Sequence, residues 1–226
     1  MRQTLVPVLM VAALTSCTTV KYQSPRFAQE ATVHRQAAVL PFEMILTGKI
    51  PAGLNPEDVL SIEEHESFAF QTALYHALLD RSDVGRKHRI TIDLQPVDET
   101  NRILAENGLT LEETWVMPPQ ELAEMLGVDS VVRTRVEKTR YLSNAASWGI
   151  DVGHAVLAEL TDTDLGWLLP SGITNDIFAD ASLLNGADGE LLWKIAVQRE
   201  TDWTRSANSV IEGITRRLAK KFPYRS

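Results

Sequence analysis

The sequence predicts an α/β protein: a mixed sheet of about five strands flanked by helices, with an insertion before a C-terminal hairpin and a final helix. Three observations predict it. Several short segments alternate apolar and polar side chains, the pattern of a half-buried strand. Two long runs, Pro56 to Leu79 and Arg205 to Phe222, place apolar residues at helical spacing instead. Between two apolar runs, Asn185-Gly186-Ala187-Asp188-Gly189 is a tight connection of the kind that joins antiparallel strands.

Taken in order, Ala37 to Phe42 is a short apolar run interrupted by Pro41 and fits a buried first strand. Gly48, Pro51, Gly53 and Pro56 make the following stretch a loop. Pro56-Glu57-Asp58 opens a helix with acid in its first turn, where the helix dipole favours it. Leu60, Phe68, Phe70, Leu74, Tyr75, Leu78 and Leu79 mostly fit one broad face of that helix. Ile90, Ile92 and Leu94 alternate and mark a second strand.

Asp98 caps a short helix that Gly108 stops, and Pro118-Pro119 opens another that Gly127 closes. Val128 to Tyr141 reads as a long strand, with Val132, Thr134 and Val136 on one side and Val131, Arg133 and Arg135 on the other. Asn144 to Leu160 fits two templates. Ile150, Val152, His154 and Val156 allow a strand, while Ala145, Gly149 and Gly153 at every fourth position allow a closely packed helix. Ile173 to Leu184 and Glu190 to Val197 form the hairpin, with Trp193 in the core. The final helix carries Val210, Ile211, Ile214, Leu218 and Phe222 on one side.

The N-terminus has a different character. Met1-Arg2 is a basic start, Leu5 to Leu14 an apolar middle, and Thr15-Ser16 a pair of small residues before Cys17. Those are the three zones of a secretory signal peptide, and the apolar run is too short for the about 20 residues that span a bilayer. Leu14-Thr15-Ser16-Cys17 resembles a bacterial lipobox, cleaved between Ser16 and Cys17, and Cys17 is the only cysteine in the chain. The resemblance implies that the thiol of Cys17 is lipidated and that the protein is held in the bacterial cell envelope. Thr18, rather than an Asp, follows the cysteine, which in such lipoproteins favours the outer membrane facing the periplasm.

The expected organisation is a signal peptide over 1–16, a lipidated tether over 17–35 and one α/β domain over 36–226, with an insertion at about 142–172. A flexible tether of that length reaches roughly 25 Å. The other reading of the segment packs it on the domain through Tyr22 and Phe27.

Ala38-Val39-Leu40-Pro41-Phe42, the run from Ala123 to Val132 and Asp188-Gly189-Glu190-Leu191-Leu192-Trp193 resemble, in order and spacing, segments of a group of envelope proteins. The group includes the amino-terminal domain of the Tol-system protein TolB, the curli-secretion lipoprotein and related lipoproteins of unknown function. The segment from Leu142 to Gly172 departs from that pattern. The expected function is a non-catalytic binding or assembly module anchored in the envelope; the alternative, which the curli-secretion resemblance implies, is a subunit of a secretion or export assembly.

Thirty Asp and Glu against twenty-two Lys and Arg leave a net charge of −8, which excludes the basic surface that nucleic-acid binding requires. Glu63, Glu64, His65 and Glu66 read as a solvated helix face, and the histidines are not spaced as metal ligands. Asp162 and Asp164 precede Gly166 without the further ligands of a calcium loop. No nucleophile elbow or phosphate loop is present, no cofactor is expected, and an enzyme or small-ligand receptor is the least favoured class. Leu165-Gly166-Trp167-Leu168-Leu169-Pro170 is apolar without interruption. It either packs on the core or joins Trp148 as a contact surface for an envelope protein, a second copy or the bilayer.

Overall fold

The computed structural model describes residues 20–48, 55–83, 89–140, 173–202 and 207–225. Seven strands form one mixed sheet: β1 (Val20–Gln23), β2 (Gln36–Val39), β3 (Glu43–Gly48), β4 (Asp93–Leu94), β5 (Ser130–Arg140), β6 (Ile173–Asn185) and β7 (Leu191–Asp202). Six helices accompany it among the described residues: α1 (Phe27–Val33), α2 (Pro56–Asp83), α3 (Val97–Glu106), α4 (Leu111–Val116), α5 (Pro119–Leu126) and α6 (Ala207–Lys221). The sheet order is β1-β7-β6-β5-β2-β4, with β3 also on β5. Strands β2, β3 and β5 run parallel, as do β2 and β4, while β5–β6–β7–β1 is antiparallel.

The mixed sheet and final helix agree with the sequence, but about five strands become seven. Glu43 to Gly48, expected as loop, is β3. Met44 is buried there, and the strand pairs with the far half of the long β5. Pro41 lacks an amide to donate, so the ladder breaks between β2 and β3, and four residue steps oppose three on β5. The strand expected at Ile90 to Leu94 shrinks to the two residues of β4, although Ile90 and Ile92 are buried.

The expected tether is also revised: Val20 to Val33 folds as β1 and α1. Strand β1 pairs with the edge of β7. The Ser24 amide donates to the Leu192 carbonyl at 2.9 Å, and Phe27 packs on Tyr224 with ring centres 5.2 Å apart. Arg26 then ties α1 to the β6–β7 turn through Asp188 at 2.9 Å and through Glu190. The Glu190 amide, and after it Arg26, hold the Asp188 carboxyl below its usual range.

Two layers of helix cover the sheet unequally. Helices α2 and α6 bury Phe70, Leu74, Leu78, Val210, Ile211, Ile214, Leu218 and Phe222 against Val132, Val136, Ile195 and Trp193. On the opposite face α3 and α5 cover Ala38, Leu40 and Val131 with Leu104, Leu122 and Leu126. The two faces of β5 thus divide as its alternation predicts. The expected apolar face of α2 holds at Phe70, Leu74 and Leu78, whereas Leu60 is 58% exposed and Leu79 also faces solvent.

Gly127 closes α5 at a φ of 70°, a conformation suited to glycine. Gly186 is needed for room. A Cβ there would sit 2.6 Å from the Ala123 Cβ and 2.7 Å from the Asp129 carbonyl oxygen. Gly186→Ala therefore has to push α5 from the hairpin, and a loss of about 1–3 kcal/mol is expected in urea unfolding. A change within about 0.5 kcal/mol, as at an ordinary surface position, would contradict this packing.

Candidate functional site

The residues that sequence singled out for function lie outside the described residues: Ser16 and Cys17, Trp148, Leu165, Trp167, Leu168 and Leu169, and also Asp162, Asp164, His88 and His154. The remaining histidines are scattered. His34 bonds Tyr224, the His65 ring meets the Ser61 carbonyl at 2.7 Å, and His76 lies beside Tyr75. Asp180 pairs with Lys194 at 3.0 Å. Among the described residues no three His, Cys, Asp or Glu are grouped so as to hold a metal ion, and no helix is long and apolar enough to cross a membrane.

A groove of about 440 Å³ opens between α2 and the α3–α4 pair. Its positions follow from helical spacing. Leu60, Glu64 and Phe68 recur every four residues along α2, and Asn101, Leu104 and Ala105 share a face of α3. Leu109, Leu111 and Trp115 close the third side, and Pro41 lies at the break between β2 and β3. Two features fix this third side. Thr110 and Glu113 form a capping box: the Glu113 amide donates to the Thr110 hydroxyl at 3.2 Å, and the Thr110 amide to the Glu113 carboxylate at 2.8 Å. The Trp115 indole donates to the Pro41 carbonyl at 3.1 Å. Beneath α4, Arg133 of β5 donates to the Met117 carbonyl at 2.7 Å, and burial lowers its pKa.

The groove is apolar within and acidic at its edge. Glu63, Glu64 and Glu112 line it, and among the described residues no Lys, Arg or His does. Burial pushes the Glu63 carboxyl up, the Leu46 amide donating at 3.2 Å opposes this, and the negative charges of Glu66 and Glu112 push it further up.

The expected solvated face at residues 63–66 is therefore corrected in part. Glu64 and His65 are exposed and Glu63 is half-buried. Glu66 is 1% exposed and accepts from Lys138 of β5 at 3.0 Å. Sequence reading passed over Trp115 and α4, although Thr110-Leu111-Glu112-Glu113 has the capping-box spacing that would have marked the helix.

No family model and no curated protein matches the chain. Among solved structures, it is similar to the PelC dodecamer from Paraburkholderia phytofirmans, at 10% identity and a TM-score of 0.45, covering 91% of this chain and 96% of that one. It is also similar to lipoprotein GNA1162 from Neisseria meningitidis, at 12% identity and a TM-score of 0.41, covering 83% and 99% respectively. The LpoB C-terminal domain from Salmonella enterica matches at 11% identity and a TM-score of 0.40, over 78% of this chain and 94% of that one.

Proposed function

We propose that the chain is a lipid-anchored, non-catalytic binding module of the bacterial cell envelope, held at the outer membrane through Cys17 and facing the periplasm. The observation that carries the reading is that the chain is already paired in the sheet at Val20, close behind Cys17 in the sequence. Val20 is paired with Ala196 of β7, and two residues, Thr18 and Thr19, stand between Val20 and Cys17 in the sequence. Three residue steps span at most about 11 Å, less than half the reach of roughly 25 Å expected of a flexible tether over 17–35. Lipid on Cys17 would therefore fix the position of the sheet as well as the compartment.

The direction of entry follows from the register. Val20 lies opposite Ala196 and Gln23 opposite Trp193, so β1 comes in from the end of the sheet that carries Asp202. Gly48, Arg140 and Ile173 stand at that same end. In this reading that end faces the bilayer. On that side β5 ends at Arg140 and β6 begins at Ile173, and the candidate contact residues Trp148, Leu165, Trp167, Leu168 and Leu169 lie between them in the sequence. Each buried methylene contributes about 0.8 kcal/mol, so three acyl chains anchor effectively permanently where one binds marginally. Anchoring raises the local concentration of the domain for any envelope partner or second copy.

Cys17→Ser tests the anchor. The variant is expected to move from the membrane pellet to the soluble fraction of its native host while melting as the unanchored wild-type domain does. Retention of the folded variant in the pellet would refute lipid anchoring.

A further inference from the structure

We infer that the groove between α2 and the α3–α4 pair is a docking site for a partner segment bearing Lys or Arg among apolar side chains. The inference rests on the reading of the chain as a binding module. Leu60 is 58% exposed and lines the groove. Phe68, Leu111 and Trp115 continue the same apolar lining. Glu63, Glu64 and Glu112 give it one sign of charge, with no cation among the described residues of the lining to balance them.

The like charges already act on one another, since Glu66 and Glu112 both disfavour ionised Glu63. A cation entering between them relieves that repulsion, whereas an acidic segment adds to it. An apolar face flanked by Lys or Arg is thus the complement of the site in both shape and charge. Trp115 is held toward the groove by its bond to Pro41 and Thr110 caps the helix that carries it, so this wall is formed before a partner arrives.

The test uses the chain from residue 17 onward, carrying Cys17→Ser, and a short blocked peptide of Leu and Lys at helical spacing. A Leu and Glu peptide of the same pattern is the control. Only the basic peptide is expected to bind. Glu63→Gln with Glu64→Gln and Glu112→Gln should weaken it about tenfold and flatten its salt dependence. Leu60→Ser should weaken it with no change in melting temperature. Glu121→Gln with Glu124→Gln and Glu137→Gln makes the same change in net charge away from the groove and should alter the affinity less than about twofold.

Equal losses from both triple variants, binding of the acidic peptide, or no binding of either would overturn the inference. It would also be overturned if replacing residues 49–54 by Gly and Ser raised the affinity, since the groove would then belong to the chain itself. Concentration-dependent dimerisation abolished by Leu60→Ser would assign the groove to a second copy and refute it too. Membrane release of Cys17→Ser is read separately, so failure of the anchor and failure of the groove are distinct results.

Discussion

Trp193→Ala is expected to lower the unfolding free energy by about 3–5 kcal/mol in urea, a large share of the roughly 5–15 kcal/mol available to a domain of ordinary stability. Trp193 is fully buried near the start of β7 and opposes Leu183 on β6. Its ring meets Phe222 edge-on, with centres 5.9 Å apart and planes at 77°. Removing it opens a cavity where the sheet meets the end of α6, bounded by strands that cannot collapse without breaking their ladders. The indole nitrogen has no acceptor, so Trp193→Phe loses volume but no hydrogen bond and should cost clearly less. A loss below about 1 kcal/mol for the alanine variant would mean that this part of the core is not packed as described.

Lys138→Met is expected to cost about 3–5 kcal/mol, although Lys138 lies near the end of its strand. Its ammonium donates to Glu66 at 3.0 Å, and the Glu66 carboxylate is almost entirely out of water. The second carboxylate oxygen of Glu66 has no partner, so Lys138 is its main compensation. Removing the cation leaves a buried negative charge without solvent or counter-charge. Glu66→Leu added to Lys138→Met should regain most of the loss, because an apolar pair of similar size leaves nothing unpaired. Equal stability of the single and double variants would show that Glu66 is solvated in solution.

Much of the fold was legible because its pattern is local. The alternation of β5 separates Val132 and Val136 from Val131 across the sheet, and the apolar side of α6 is buried as its spacing implies. Trp193 reads as core for the same reason.

The misses share a physical cause, which is dependence on distant partners. Strand β1, Val20-Lys21-Tyr22-Gln23, alternates over only four residues, and Tyr22 is exposed. Its position comes from backbone pairing to β7 and from Arg26 reaching Asp188, 162 positions along the chain. Strand β3 hides behind Pro41, which breaks the run that would have shown it. Glu66 reads as surface because its cation stands 72 positions away.

The groove was invisible for a related reason. Leu60 resembles part of a core face, Glu63 and Glu64 resemble solvated helix, and only the docking of α3 and α4 beside α2 turns them into one site. The lipobox resemblance is local and depends on no distant partner, and Cys17 lies outside the described residues.

The most direct test of the account is the intact mass of the protein extracted from the membranes of its native host. The account expects a chain that begins at Cys17, lacks residues 1–16 and is heavier than its polypeptide by the mass of attached acyl chains. A chain that retains Met1, or one with an unmodified Cys17 thiol, would contradict it.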